Sequence, residues 1–431
     1  MHTGKPTSAC WAAIAGFVAL ALSSGSARSE VGATVLTFEQ ALTQAVERNP
    51  EVAAANLGRE LAAARVKQAR AWGNPTLGLE VENVLGRGIY ADFGSAETTV
   101  ALSQPLPVGG GRAARIRGAR TGTVIAEVDA ELALRALRRD LAIAYAEAVA
   151  ADRLAELGRE RARIGAETQA AVDRRFAAGL ESELQRSRAV VATSGMQAAA
   201  RRAAAVSLSR RRALAAFWRE DTVSAALDPA WFEAAPAAPA RGTAPVGDSA
   251  GDPAFAGHPS VERARRLVEQ AEARLAAERG YRFGGLEATL AARRFRDMPT
   301  DSDRAWVLGL SMPLPLWDRN DASIAEARAE LLSAEIEAER VTRGLAAERE
   351  EVLAELGAVR LEVDALTSSG LPSARAAAAL TRQGYDAGRL SLFERLEAES
   401  ALMELQERLV RARLQLRTAE ARLDSLHSVA P

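Results

Sequence analysis

Few side chains in this 431-residue chain have the chemistry to hold a metal, attack a bond or move a proton, and their spacing argues against all three. Histidine occurs only at His2, His258 and His427, cysteine only at Cys10, and methionines such as Met298 and Met403 are scattered. None of this matches the ligand spacing of a zinc or copper site. His258 stands before Pro259 at the start of a helical pattern, where a structural role is the simpler account. Gly109-Gly110-Gly111 precedes a helix, as a phosphate-cradling loop does, but no Gly-Lys-Ser/Thr follows. No nucleophile–base pattern is present, so the sequence points away from an enzyme and asks for no cofactor and no bound metal. What remains is charge at helical intervals. Glu394 and Glu397 lie three apart and share a helix face. Such a face is ordinarily solvated, but copies arranged about an axis would turn it into a ring of negative charge at a mouth.

The elements around that pair are long helices. Ile324, Leu331, Ala338, Leu345, Val352, Val359 and Leu366 repeat every seven residues, and after a turn at Tyr385-Asp386-Ala387-Gly388 the repeat resumes with Leu402, Leu409, Leu416 and Leu423. A strict seven-residue apolar seam supercoils left-handedly against a partner, so this is an antiparallel coiled-coil hairpin. An alternating segment, Ala305 to Met312, feeds into it and is halted by Pro313 and Pro315. Gly370 and Pro372 interrupt the first arm and predict a kink or break there.

The same programme runs earlier. Thr37 with Gln40 has the spacing of a capping box, Asn49-Pro50 breaks the first helix, and a second helix ends near Gly73-Asn74-Pro75. Leu77, Leu79 and Val81 alternate with Gly78, Glu80 and Glu82, and Val100 and Leu102 alternate with Thr99, Ala101 and Ser103, which predicts two strands. From Arg112 the pattern stays helical to about Arg175, turns at Phe176 to Leu180 and returns from Glu181 to about Arg219. His258-Pro259 answers Asn49-Pro50, Leu310 to Pro315 answers Leu102 to Pro107, and Gly388 answers Gly179, each roughly 209 residues on. The chain is internally duplicated. It divides into a first repeat at 28–227, a linker rich in Pro, Ala and Gly at 228–257 anchored by Trp231 and Phe232, and a second repeat at 258–431.

Residues 1–27 read as a secretory leader, with an apolar run from Ala9 to Leu22 and a small-residue cleavage site at Gly25-Ser26-Ala27. The apolar run follows Cys10, which argues against lipid attachment there. No later stretch has the makings of a transmembrane helix, so any membrane insertion must use strands. Aromatics at 5% and charged residues at 26% suit long helices in close contact, and a formal net charge of −1 gives no support for nucleic-acid binding. One chain thus offers four strands with two unpaired borders. Unsatisfied backbone groups in a bilayer cost several kcal/mol each. Three chains would supply about twelve strands, enough to close a barrel. The expected fold is mainly α with a small β part: four transmembrane strands per chain, twelve in a trimer, continued by a tunnel of antiparallel helices.

The Ser-Gln-Pro-Leu-Pro-Val-Gly-Gly-Gly-Arg junction at 103–112 and Pro313-Leu314-Pro315-Leu316-Trp317-Asp318-Arg319-Asn320 resemble the TolC family of outer membrane efflux proteins, a likeness covering essentially the whole mature chain. The second junction is most similar to the branch serving cobalt-zinc-cadmium resistance pumps, where Arg-Asn is commonly followed by Gln-Gly; here Asp321-Ala322 follows. The resemblance implies a homotrimer in outer membrane lipid with a periplasmic helical tunnel, docking through a periplasmic adaptor to an inner-membrane RND-type pump. It implies that Ala178, Gly179, Leu180, Ala387, Gly388 and Arg389 are the hairpin tips that meet the adaptor, Arg389 standing where the family usually has leucine. It also places Glu394 and Glu397 where acidic residues constrict the closed tunnel. The first tip has Gln185 at the matching place, with Glu181 and Glu183 nearby. Heavy-metal cations are the expected cargo, with drugs or secreted protein as alternatives. A periplasmic coiled-coil spacer would explain the heptads but not the paired alternating segments.

Overall fold

The computed structural model describes residues 35–91, 93–234, 255, 257–281, 285–296 and 303–427. The leader with Cys10, most of the 228–257 linker and Met298 lie outside the described residues.

A two-residue strand, β1 (Val35–Leu36), leads into α1 (Phe38–Arg48). Thr37 and Gln40 form the expected capping box, with the Gln40 N–H donating to the Thr37 hydroxyl at 3.3 Å and the Thr37 N–H to the Gln40 side chain at 3.0 Å. Asn49 ends α1 and caps α2 (Pro50–Arg70), accepting from the Glu51 N–H at 2.8 Å. The strands β2 (Thr76–Glu82) and β3 (Glu97–Leu106) follow. Then comes α3 (Gly111–Ala177), whose 67 residues reach about 100 Å. It turns back into α4 (Glu183–Ala215), and β4 (Ala226–Leu227) and α5 (Ala230–Glu233) close the first half. The second half brings α6 (Pro259–Tyr281), β5 (Leu286–Phe295), β6 (Arg304–Ser311), α7 (Asp321–Ala365), α8 (Leu371–Asp386) and α9 (Leu392–Ser425).

The break expected at Gly370 and Pro372 takes the form of a π turn, Leu366–Gly370, between α7 and α8. Pro372 has no N–H to give to the preceding turn, and the wider coil just before it absorbs the loss. Thr367 and Ser369 return their hydroxyls to the carbonyls of Val363 and Ala365 at 2.8 and 3.0 Å. α3 passes the corresponding level of the first half unbroken.

The two hairpins of strands merge into one antiparallel sheet ordered β2-β3-β5-β6, leaving β2 and β6 as its borders. The helices joined to these strands pack in the same order, α2 on α3, α3 on α6 and α6 on α7. Sheet and helices thus form one wall, each strand continuing into a helix. The junctions are stapled alike in both halves. The Arg112 guanidinium donates to the Arg70 carbonyl, tying α3 to α2. The Asn320 amide donates to the Glu278 carbonyl and carboxylate, both at 2.9 Å, tying α7 to α6. Asn320 adopts φ 60, a left-handed conformation that asparagine tolerates, and Gly110 takes φ 81 at the equivalent junction.

Against the middle of α3 and the C-terminal half of α9 sits a small core built from α1, α5 and a parallel bridge between β1 and β4. Phe38 stacks on Trp231 at 4.8 Å between ring centres, and Tyr145 meets both rings edge-on. The Tyr145 hydroxyl donates to the carbonyls of Leu36 (2.7 Å) and Asp228 (3.1 Å), and burial pushes its pKa up to about 12. The heptad seam is graded. Val352, Val359, Leu366, Leu409 and Leu416 are buried where α7 and α9 meet, whereas Ile324, Leu331, Ala338 and Leu345 stay half-buried where α7 borders the wall.

Candidate functional site

Residues directly opposite in neighbouring strands share a face, so the register of the sheet fixes what each side presents. Leu77 lines up with Leu102, Leu290 and Leu308, and Leu79 with Val100, Ala292 and Trp306. This apolar band crosses all four strands and faces outward with nothing covering it; Leu308 is 83% exposed and Trp306 76%. A contiguous bare patch of this kind belongs in lipid or in an interface, not in water. Aromatic residues fringe it. Trp72, Tyr281 and Trp317 lie where the helices join the strands, and Tyr90 and Phe93 lie in the loop beyond β2, all exposed. Apolar bands flanked by such girdles are the pattern of membrane strands.

The opposite face mixes small residues with polar and charged ones. Gly78, Ala101, Ala291 and Val307 form one row, and Thr76, Ser103, Thr289 and Gly309 another, with the Ser103 and Thr289 hydroxyls 2.8 Å apart. Nearer the loops the row is Glu80, Thr99, Arg293 and Ala305, followed by Glu82 and Glu97. The Arg293 guanidinium reaches Glu97 at 3.3 Å and Glu82 at 3.5 Å, and donates to the buried Thr99 hydroxyl at 3.0 Å. Asn83 adds a hydrogen bond to the other Glu97 oxygen at 3.0 Å.

At the far end of the helices are the two tips. Arg161 of α3 donates to Ser400 of α9 at 3.3 Å, and both helices share the central core, so the two hairpins point the same way. Each tip closes with the same backbone turn. Ala178, Gly179 and Leu180 donate to the carbonyls of Arg174, Phe176 and Arg175 at 3.1, 2.9 and 2.9 Å. Ala387, Gly388 and Arg389 donate to Gln383, Tyr385 and Gly384 at 3.0, 2.9 and 2.8 Å. Gly179 and Gly388 take φ 72 and 71, the left-handed position at which a helix-ending turn selects glycine. Leu180 and Arg389 are both exposed. Behind each turn an arginine lies over an aromatic ring: Arg186 over Phe176 at 5.1 Å and Arg395 over Tyr385 at 5.4 Å. Sequence reasoning missed this pair of clamps. The signal was an aromatic followed ten residues later by arginine, at the same place in both repeats.

Ser391 caps α9 in a full capping box with Glu394. The Ser391 N–H and hydroxyl both donate to Glu394 Oε2, at 2.7 and 2.8 Å, and these bonds hold the carboxyl below its usual range. Glu394 therefore already has a local structural task. Glu397 is exposed one turn on. Gln185 occupies the place of Glu394 in the first hairpin, its N–H donating to Ser182 at 3.3 Å. A third carboxylate, unnoticed in the sequence, is the buried one. Glu399 is 6% exposed at its side chain, and its Oε1 accepts from Arg382 at 3.2 Å and Arg395 at 3.1 Å. Its Oε2 is enclosed without a partner among the described residues.

Among the described residues no group of three or more His, Cys, Asp or Glu is placed to hold a metal, and no helix is long and apolar enough to cross a membrane. His258 is buried at the start of α6. Its Nδ1 accepts from the Ser260 N–H and its Nε2 donates to the Ser425 carbonyl, both at 3.2 Å. His427 is exposed near Asp424, and Met403 is buried within α9.

A sequence model described as outer membrane efflux protein matches residues 41–218 and 252–427, one segment in each repeat. The cobalt-zinc-cadmium resistance protein CzcC of Cupriavidus metallidurans is 26% identical over 377 residues, covering 86% of this chain and 85% of CzcC. Among solved structures, CusC superposes with a TM-score of 0.71 at 17% identity, covering 90% of this chain and 92% of CusC. The CmeC outer membrane channel of Campylobacter jejuni superposes with a TM-score of 0.72 at 14% identity, covering 90% of this chain and 85% of CmeC. With one matched segment on either side of the linker, together spanning most of its length, the chain belongs to the outer membrane efflux protein family.

Proposed function

We propose that this chain is the outer membrane duct of a tripartite efflux system, working as a homotrimer with heavy-metal cations as cargo. The observation that carries the reading is the four-stranded sheet with a lipid-suited face, a polar face and two free borders. Neither border can stay unpaired in a bilayer. Pairing β6 of one copy with β2 of the next satisfies both, and three copies close the ring at about twelve strands. The helical wall then becomes a tunnel reaching into the periplasm. The tips formed by Ala178, Gly179, Leu180, Ala387, Gly388 and Arg389 dock a periplasmic adaptor, which joins the duct to an inner-membrane RND-type pump. Glu394 and Glu397 narrow the tunnel mouth with negative charge. The duct itself is passive, and selection among metals rests with pump and adaptor.

The cargo assignment draws on the match to CzcC, named for cobalt, zinc and cadmium resistance. Deleting the gene and measuring tolerance to metals and drugs side by side tests it. Growth should fail at metal concentrations the parent strain survives. Loss of drug tolerance alone would reassign the duct to multidrug efflux. A protein that washes off membranes in carbonate would end the duct reading and favour a periplasmic spacer.

A further inference from the structure

The two sides of the sheet differ in more than polarity, because charge is unevenly placed along the polar side. At the helix end that side carries Glu287, opposite Ser311 and Pro105. Next come the neutral rows of Gly78, Ala101, Thr289, Ala291 and Gly309. Only toward the loops do Glu80, Glu82 and Glu97 gather, and there Arg293 is the one cation on this face among the described residues. Arg293 is held rather than loose. Three strands converge on it, through Glu82 of β2, Glu97 and Thr99 of β3, and its own position in β5. Glu80 has no such partner among the described residues.

Resting on the trimeric duct reading, we propose that Arg293 sets the charge selectivity of the barrel exit by pairing with two of the three strand carboxylates that face the pore there and cancelling one of their three charges. The inner face is the pore side because the outer one is apolar and must meet lipid. A twelve-stranded barrel with tilted strands has a backbone radius of roughly 12 Å. The screening length is about 10 Å at 0.1 M salt, about 30 Å at 0.01 M and about 3 Å at 1 M. Wall charge therefore governs the whole cross-section in dilute salt and almost none of it in concentrated salt. Cations leaving the duct meet a wall that attracts them, but only weakly, since tight binding would stall their release. By partly cancelling that attraction, Arg293 keeps the exit from becoming a trap for a divalent cargo.

The test is ion selectivity of the full-length protein in planar bilayers, read from the reversal potential across a KCl gradient centred near 0.01 M and repeated near 1 M. The wild type should prefer cations in dilute salt and lose the preference at 1 M. Arg293→Gln raises the net negative charge of the described strand rows there from two to three per chain, so the preference should rise, up to roughly the three-halves power of the wild-type ratio. Arg293→Lys should leave it unchanged. Combining Glu80→Gln, Glu82→Gln and Glu97→Gln leaves Arg293 as the one charge in those strand rows among the described residues and should abolish the preference for cations or reverse it toward anions. Glu80→Gln alone disturbs no ion pair, and it should lower the ratio even if the triple variant fails to insert. Ratios unmoved in Arg293→Gln and Glu80→Gln channels that conduct normally would overturn the proposal. A wild type that forms no channels would overturn the duct reading instead.

Discussion

The two hairpin tips share one backbone turn and differ in charge. Both tips use a glycine turn, a serine cap and an arginine laid over an aromatic ring. In the first hairpin that arginine, Arg186, pairs with Asp173 at 3.0 Å in solvent. In the second, Arg395 shares the buried Glu399 with Arg382, at a place where the first repeat has the exposed Val190. The second hairpin is therefore pinned just behind its tip. It is also interrupted higher up by the π turn at Leu366–Gly370, while α3 runs unbroken. A segment fastened at one end and jointed at the other behaves as a lever; a continuous helix behaves as a strut. The two tips turn alike, and the arms behind them differ in how they are fastened.

The largest expected effect comes from the pin. Replacing Glu399 with Gln removes the carboxylate charge that faces two arginines and should loosen α8 from α9 by about 2 kcal/mol. That lies below the usual cost of a broken buried pair because both arginines reach water. Hydrogen exchange should rise across residues 382–399 and stay unchanged at the first tip; equal protection in both hairpins would dissolve the contrast between lever and strut.

The next effect concerns the mouth. Gln preserves a capping box, as Gln40 does with Thr37, so converting Glu394 and Glu397 to Gln removes charge without uncapping α9. It also makes the second tip resemble the first, where Gln185 already stands. Single-channel conductance should increase by a measurable fraction if the carboxylates narrow the tunnel. An unchanged value would return Glu394 to the helix cap alone.

The smallest effect is a difference in pH response between the helix starts of the two repeats. Asn49 caps α2, and His258 caps α6 through a ring nitrogen that must be unprotonated to accept from Ser260. Burial lowers the His258 pKa, outweighing the hydrogen bond to the Ser425 carbonyl that raises it; Arg135, Glu131 and Glu348 contribute less. Because the folded value is depressed, the unfolded chain binds the proton more readily. Stability from this group is complete above the ordinary histidine value of about 6.5 and is lost as pH falls below it. The melting temperature in detergent should fall less between pH 7 and pH 5 in His258→Asn than in wild type. Parallel curves would show that both caps are indifferent to protons.

Much of this was legible in the sequence, and the gaps have physical causes. Strand β2 could be read residue by residue because Leu77, Leu79 and Val81 alternate cleanly with small or charged neighbours. Strand β5 extends to Phe295, well past Leu290, held there by pairing with β3 and β6; Ala291 to Arg294 carry no apolar alternation that would announce it. The glycine turns announced themselves. Arg293 and Glu399 did not, since a lone charged residue in a strand or helix looks solvated until its partners, distant in sequence, arrive beside it. The bridge between β1 and β4 is only two residues long in each strand and joins segments too far apart for local pattern to reveal.

The bare borders of β2 and β6 also bear on genetics. If a lone copy has no stable resting place in the bilayer, copies must meet before or while they insert, and every finished assembly draws all its members from one common pool. With three copies to a ring, as proposed above, a cell making intact and border-defective copies in equal amounts would then build only about one wholly sound assembly in eight. Mutations at these borders should be dominant, whereas losses confined to a single tip can be diluted by healthy neighbours.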